Sequence, residues 1–457
     1  MKVKFKAFFI VVLFLGISSC VMAETIKLTL DEAIGLGLVN STNIKQKLLA
    51  VNAARAAVQS SKSSYYPSVS IGATYTHLFK EQKTPDITLV ISGDSITIPG
   101  SYVASSDPVS LSADLSQTIY TFGKLKNSVS ITEENLSLAE LDFEEEKRHI
   151  TVQIKRAFYW SLLASEVLEV QKETLRYKEE ALNVARKRFA AGLSPDYEVL
   201  SAESDVANFR PVVISAENQV KYAILAVMDL LGIKEEEGEF DIELIGTLEP
   251  DYYDFVKTEL IDMALKNKSE VKQYRKNISL KELTAEITKS GRKPDIAGFV
   301  NYTLQSGYDS QTGKPKYWGE DSWEGNLTAG VSVQMPLSAL FPWSKEKADI
   351  VKDTLDIEKL KLGLSSLESD TRLDIVHILL RLEEERSKIL SGEKGVELAS
   401  KLFRSSSERY ENGMISSMEL QDSQLGLNSA KVSYLQSIYN YKLALYDLMD
   451  AVGVDHF

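Results

Sequence analysis

An internal duplication at long range constrains this sequence more than any other feature. Residues 189–198 correspond to residues 410–419, and each segment starts with an aromatic residue, has glycine fourth and ends in glutamate. Seven-residue stripes lead into both segments: Ile154, Ser161, Leu168, Leu175, Leu182 and Phe189 in the first half, and Ile375, Leu382, Ile389, Val396, Phe403 and Tyr410 221 residues later. The offset of 221 residues is much longer than the ~20 to 50 residues of a solenoid repeat, so the pattern does not indicate a solenoid. The sequence therefore predicts one architecture made of two fused copies.

The first 23 residues are typical of a secretory signal peptide: three early lysines, a short apolar run and small residues ending at Ala23. The run is shorter than the ~20 apolar residues that span a bilayer as a helix. Cleavage after Ala23 is the favoured interpretation, but residues 17–20 also form a weak lipobox that would leave Cys20 acylated. We expect a signal peptide at 1–23, a first structural repeat at 24–235 and a second at 250–457. The net charge of −13 argues against a nucleic-acid surface.

The spacing of the prolines predicts two unusually long helices. No proline interrupts Lys124 to Ala190 or Lys345 to Glu411, and apolar residues recurring every seven positions form a seam for a partner helix. A short connector containing a glycine follows each stretch. Glycine supplies the positive φ of a helix C-terminus, and Ser194 before Pro195 predicts a helix start with a serine cap. Each chain segment must then run back as an antiparallel helix.

Four segments alternate apolar and polar residues with period two, which predicts half-buried strands. We place them at about residues 68–79, 109–120, 296–305 and 326–335, in two hairpins at equivalent places in the two repeats. Aromatic residues crowd the strand ends, where a lipid-exposed barrel would have its interfacial girdle. A single strand of this kind favours an ordinary sheet with one solvated face. Four such strands in a duplicated, exported, mainly helical chain favour a membrane barrel.

In their order and spacing, the signal peptide, the residues Tyr66-Pro67 before a strand, and the two aromatic-x-x-glycine turns resemble the TolC-type outer-membrane efflux proteins. The resemblance covers essentially the whole mature chain. It implies a mainly helical homotrimer in which long antiparallel coiled-coil hairpins form a periplasmic tunnel. It also implies that each protomer gives four strands to a shared 12-stranded barrel in outer-membrane lipid. Four strands cannot close a barrel alone, and a sheet in lipid tolerates no free edge.

The same resemblance assigns functional roles to the turns. The implied docking site for a periplasmic adaptor (membrane fusion) protein and an inner-membrane transporter is the pair of turns formed by Gly192, Leu193, Ser194, Gly413, Met414 and Ile415. Glu419 and Asp422 match the acidic rings that constrict the tunnel; at i and i+3 they share a helix face. The alternative is that both residues lie at a solvent-exposed helix start, where carboxylates interact favourably with the positive end of the helix dipole.

Tyr410 and Glu198 match two members of the family's closed-state latch. The basic member falls at Ile415, so the resemblance leaves at most a hydroxyl-to-carboxylate hydrogen bond. Alternatively, Tyr410 simply ends the apolar stripe.

Enzyme and metal motifs are poor in this sequence. Gly35 and Gly37 form half of a dinucleotide fingerprint in a helical context, and the four histidines are isolated, with no metal-ligand spacing. We therefore expect a passive exit duct of a tripartite efflux or type I secretion system, without cofactor or metal. The alternative is a periplasmic coiled-coil adaptor or scaffold that does not enter the membrane.

Overall fold

The computed structural model describes residues 26–80, 82–92, 94–233, 242–319 and 322–456. The predicted signal peptide and Cys20 lie outside these residues. The chain divides into two compact units, and each unit draws on both halves of the sequence. Of the described residues, one unit comprises 26–42, 147–233, 242–255 and 377–450; we call it the turn unit because it contains both glycine turns. The other comprises residues 43–146, 256–376 and 451–457; we call it the sheet unit.

Eight α-helices in the described chain form two matching sets of four. The first set is α1 (Leu30–Asn40), α2 (Thr42–Ser63), α3 (Lys124–Ala190) and α4 (Asp196–Leu231), and the second is α5 (Lys257–Asn267), α6 (Ser269–Ser290), α7 (Lys345–Glu411) and α8 (Ser417–Val452). In both sets the lengths are 11, 22, 67 and 36 residues. The two long helices predicted from the proline spacing are confirmed at both ends.

The turn unit packs its helices around the seven-residue stripes. Ile154 and Ile389 are essentially inaccessible to solvent, as expected for a seam between helices. Its short strands β1 (Ile26–Leu28) and β6 (Ile242–Leu244) pair in parallel. Helix α4 continues through Pro211.

The sheet unit contains the predicted alternating strands. They are β2 (Ser68–Tyr75), β5 (Val109–Tyr120), β7 (Asp295–Tyr308) and β9 (Trp323–Gln334), paired antiparallel in the order β2-β5-β7-β9. A two-residue strand, β8 (Pro315–Lys316), also pairs with β7. In the single chain, β2 and β9 are the edges of this four-stranded sheet.

The register of the four strands separates apolar from polar side chains. Ile71 lies opposite Ala113, which lies opposite Tyr302, which lies opposite Leu327. The row beside it consists of polar residues: Ser70, Asp114, Asn301 and Thr328. Since successive residues of a strand point to opposite faces, one face is apolar and the other polar. The apolar face is solvent-exposed in the single chain, with Ile71 84% accessible and Leu327 68%.

The polar face carries its own hydrogen-bond network. The Asn301 amide donates to the Asp114 carboxylate, the Thr303 hydroxyl donates to the Asn301 side-chain oxygen at 2.9 Å, and the Ser112 hydroxyl donates to Asp114 at 3.2 Å. These bonds fix side chains that would otherwise be mobile, so the polar face is organised across β5 and β7.

Two details of the sheet unit differ from the sequence predictions. The first strand ends at Tyr75, not near residue 79. Thr76 N–H still donates to Pro108 C=O at 3.1 Å, but Pro108 has no N–H to donate back, so the regular ladder stops. The long loop after it also contains an unpredicted hairpin of β3 (Ile87–Ile91) and β4 (Asp94–Ile98).

Candidate functional site

Two nearly identical turns connect the long helices to their return helices. Gly192 has φ +71° and Gly413 has φ +70°, as predicted for the end of a helix. In the first turn, Leu193 N–H donates to Arg188 C=O at 2.8 Å and Gly192 N–H to Phe189 C=O at 2.9 Å. The second turn repeats both bonds at 2.8 and 2.9 Å. This pair of bonds defines the Schellman motif, which terminates an α-helix and reverses the chain.

The two turns differ in how the return helix begins. Pro195 is the N-cap of α4, with ψ 159°, and no side chain caps this helix. Since Pro195 is extended, Ser194 lies one residue too early to cap, and its hydroxyl is buried with no hydrogen-bond partner in the described chain. The predicted serine cap is therefore wrong for Ser194. In the second turn, Ser416 occupies the position of Pro195, and its hydroxyl accepts the Glu419 N–H at 3.3 Å.

Both turns present apolar side chains to solvent. Leu193 and Met414, which follow the two glycines, are exposed, and so are Tyr197 and Met418 in the first turns of α4 and α8. Ile415 is only half exposed because it packs against the core beneath the turn. Thus each turn offers at least two large apolar side chains.

Glu419 and Asp422 are exposed on the same face of α8. The Ser416 cap places Glu419 at the third position of the helix, where the backbone N–H groups are still unpaired by the helix itself. Nothing in the single chain buries either carboxylate. This placement is compatible both with a carboxylate ring around an axis and with an ordinary helix start.

Tyr410, in contrast, is buried at 4% exposure in a core cluster with Phe403, Leu420 and Leu427. Burial raises the pKa of the Tyr410 phenol, and the nearby Glu198 carboxylate raises it further, although Arg188 acts in the opposite direction. Glu198 Oε2 is itself buried and has no hydrogen-bond partner in the described chain. The structure therefore brings Tyr410 and Glu198 into electrostatic contact but shows no direct bond between them.

Arg188 is the cationic neighbour that sequence reasoning missed. Its guanidinium lies 5.5 Å from the centre of the Tyr410 ring, and its Nη1 donates to Tyr410 C=O at 3.2 Å. Arg188 directly precedes Phe189, the aromatic residue of the first aromatic-x-x-glycine turn. This position beside the motif was the signal in the sequence that could have drawn attention to Arg188. The contact joins residues 222 positions apart, so no local pattern could reveal it.

The described chain shows little other chemistry. It contains no group of three or more histidine, cysteine, aspartate or glutamate residues arranged to hold a metal ion. None of its described helices has an apolar stretch sufficient for a bilayer span.

The sequence profile of the family described as "Outer membrane efflux protein" matches residues 33–233. The first half of the chain is therefore similar to the outer membrane efflux proteins. Comparison with curated proteins gave no match. The structure is nevertheless similar to solved outer membrane channels, and the resemblance stated from the sequence is confirmed.

Three of these channels illustrate the match. The CmeC outer membrane channel of Campylobacter jejuni is 14% identical with a TM-score of 0.74, over 93% of this chain and 85% of that one. The outer membrane protein VceC of Vibrio cholerae is 15% identical with a TM-score of 0.71, over 93% and 96%. The open state of the MtrE outer membrane channel of Neisseria gonorrhoeae is 16% identical with a TM-score of 0.64, over 93% and 89%.

The family match and the similarity to solved channels together place the protein in the outer membrane, with long helices in the periplasm. The same comparisons confirm the prediction of a passive channel that is not an enzyme, because the matched family and the similar structures are passive channels. The comparisons give no support to the alternative of a periplasmic adaptor or scaffold. For a membrane channel, the exposed apolar face of the β2-β5-β7-β9 sheet is the face that meets lipid.

Proposed function

We propose that this protein is the exit duct of a tripartite export system and that three copies build one channel. Channels of this family are homotrimers that work with a periplasmic adaptor and an inner-membrane pump. The observation that carries the proposal is the amphipathic four-stranded sheet with free edges at β2 and β9. In lipid, a backbone N–H or C=O without a partner costs several kcal/mol. The edges must therefore pair with strands of other copies.

In this proposal the polar face of the sheet, with Asp114, Asn301 and Thr303, surrounds the water-filled path. The turns at Gly192 and Gly413 form the periplasmic end. There, the exposed apolar side chains Leu193 and Met414 supply contacts for the adaptor. The Glu419 and Asp422 carboxylates, repeated three times, form the constriction.

Cysteine cross-linking across the sheet edges tests the trimer directly. Within one chain, β2 and β9 are separated by β5 and β7, so at ~4.8 Å between neighbouring strands they are ~14 Å apart. A disulfide joins Cα atoms no more than ~7 Å apart. Ile71→Cys on β2, combined in turn with Leu327→Cys, Ala329→Cys or Val331→Cys on β9, can therefore link only different copies.

We expect at least one of these pairs to give covalent dimers and trimers in outer-membrane fractions. The matched control replaces the β9 cysteine by Tyr302→Cys in the central strand β7, which should give none. A protein that fractionates as a soluble monomer, or that gives the same ladder with the control, would refute the proposed duct.

A further inference from the structure

One side chain of the first repeat reaches across to the turn of the second. Arg188 lies in the last turn of α3, where its own C=O accepts the Leu193 N–H of the first turn. Its guanidinium faces the Tyr410 ring at 5.5 Å and donates to Tyr410 C=O at 3.2 Å. A Cβ on Gly413 would lie 3.4 Å from its Nη2. Arg188 therefore contacts the end of α7 and lies beside the turn that follows.

This contact has no equivalent in the other direction. The residue 221 positions after Arg188 is Arg409, and it is exposed. The residue 221 positions before Tyr410 is Phe189, which is 49% exposed, whereas Tyr410 is buried. The duplicated sequence thus supplies the same residue types at both turns, but only the arginine of the first repeat packs on the aromatic residue of the second.

Arg188 makes a cation–π contact and a hydrogen bond with the same residue, and these two interactions can form and break together. A guanidinium over an aromatic face is attracted by the ring quadrupole. A cation at the last carbonyls of a helix also interacts favourably with the negative end of the helix dipole, and a charged donor strengthens the hydrogen bond. Both bonds join α3 to the end of α7, so any movement that separates the α7–α8 turn from α3 breaks both together.

We propose that Arg188 is the positioning residue that holds the α7–α8 turn against α3 in the closed channel. It supplies the positive charge that Ile415 does not, and it does so from the first repeat. The inference rests on the proposed function, because it takes the turns to be the end of the duct that opens. Closure then depends on the Tyr410 ring and main-chain carbonyl, not on the phenol hydroxyl.

Substitutions at Tyr410 separate this inference from a latch between the Tyr410 hydroxyl and the Glu198 carboxylate. Tyr410→Phe keeps the ring and the carbonyl, so we expect it to stay closed. Tyr410→Leu removes the ring face and should open the channel partly. If the hydroxyl were the latch, Tyr410→Phe and Glu198→Gln would both open the channel, and Arg188→Ala would not.

The decisive measurement is single-channel conductance of the purified protein in planar bilayers. Loss of one cation–π contact and one charged hydrogen bond should raise the open-to-closed ratio on the order of tenfold per protomer in Arg188→Ala. Arg409→Ala, the matched control at the equivalent position, should conduct like the unmodified protein. Combining Arg188→Ala with Tyr410→Leu should add little to Arg188→Ala alone, because both remove the same contact.

These measurements distinguish a failure of the proposed role of Arg188 from a failure of the proposed exit duct. If the unmodified protein forms no channel, the duct proposal fails. If it forms a channel and Arg188→Ala matches Arg409→Ala, only the role of Arg188 is overturned. Should Arg188→Ala not assemble, Arg188→Gln, which keeps an N–H donor but no charge, is recorded instead, with the same expected opening and the same contradicting result.

Discussion

At the scale of single residues, the two turns require glycine because of its backbone conformation, not because a side chain would lack space. A Cβ on Gly192 would meet nothing within 4 Å, and one on Gly413 would only touch Arg188 at 3.4 Å. Both glycines nevertheless have φ near +70°, a conformation that disfavours any side chain. The turns therefore demand glycine for its backbone alone.

We expect Gly192→Ala and Gly413→Ala each to lower the free energy of unfolding of the turn unit by about 1 to 2 kcal/mol. The control is Gly395→Ala inside α7, where a Cβ also meets nothing within 4 Å and φ is not positive. Alanine is the better helix former by about 1 kcal/mol, so the control should be neutral or stabilising. Thermal unfolding in detergent measures all three, and equal losses in all three would contradict the argument.

The residue scale also shows where sequence reasoning stopped. Positive φ at Gly192 and Gly413 was predictable because it depends on a local helix end. The cap at Ser194 was not, because it depended on whether Pro195 would be helical or extended. The contact of Arg188 with Tyr410 links distant segments, and the sequence offered the residue types but not the choice between Arg188 and Arg409.

At the scale of elements, the contact between α3 and α8 depends on an ion pair that is partly shielded from water. Lys431 donates to the Glu173 carboxylate, and Tyr177 donates to it at 2.9 Å. Burial is the largest single influence and favours the neutral carboxyl, but the bonds from Lys431 and Tyr177 together lower the Glu173 pKa below 4.5.

The lowered pKa of Glu173 means that its charged form stabilises the folded state at neutral pH. The folded state holds the charged form more strongly than the unfolded state does. The stabilisation is thus complete above the unfolded pKa of about 4.5 and is lost as the pH falls through the lower folded value. The free energy of unfolding, measured from pH 7 to pH 3, should stay constant down to about pH 5 and decline below it. Glu173→Gln should reduce that decline, whereas Glu169→Gln, at an exposed i,i+3 pair, should not. Identical profiles for both variants would show that Glu173 is not responsible.

Elements were the most predictable level of this structure. The ends of α3 and α7 follow from prolines and glycines, which act locally, and β5 follows from its strict alternation. The β3–β4 hairpin was missed although Ile87, Leu89 and Ile91 alternate with other residues, because five-residue strands in a long loop give too short a pattern. The pairing of β5 with β7 joins the two repeats and required the folded chain.

At the scale of the whole molecule, the proposed role of Glu419 and Asp422 depends on the presence of three copies of the chain. In the proposed trimer, Glu419 and Asp422 form two rings of like charge in a narrow aqueous passage, which concentrate cations there. Glu419→Gln together with Asp422→Asn should lower the preference of the channel for cations and weaken block by multivalent cations. Assembly should persist, because carboxylates at an exposed helix start rarely contribute more than about 1 kcal/mol.

Planar-bilayer recordings with asymmetric salt provide the measurement. The matched control is Glu408→Gln with Glu411→Gln, which removes two exposed carboxylates near the same turn but from the end of α7. Ion selectivity and cation block should be unchanged in this control. If the α8 double variant also behaves like the unmodified protein, the two residues are an ordinary solvated helix start.

The one-sided contact of Arg188 makes the two turns of each chain inequivalent. A single repeat, assembled from six identical copies, would have had to place the same restraint at all six turns or at none. Fusion of two copies freed the sequences to diverge, so three turns can carry the restraint while the other three remain unrestrained. In the proposed trimer, opening would then break three such contacts and not six, and a substitution at position 188 would change them without altering the other turns.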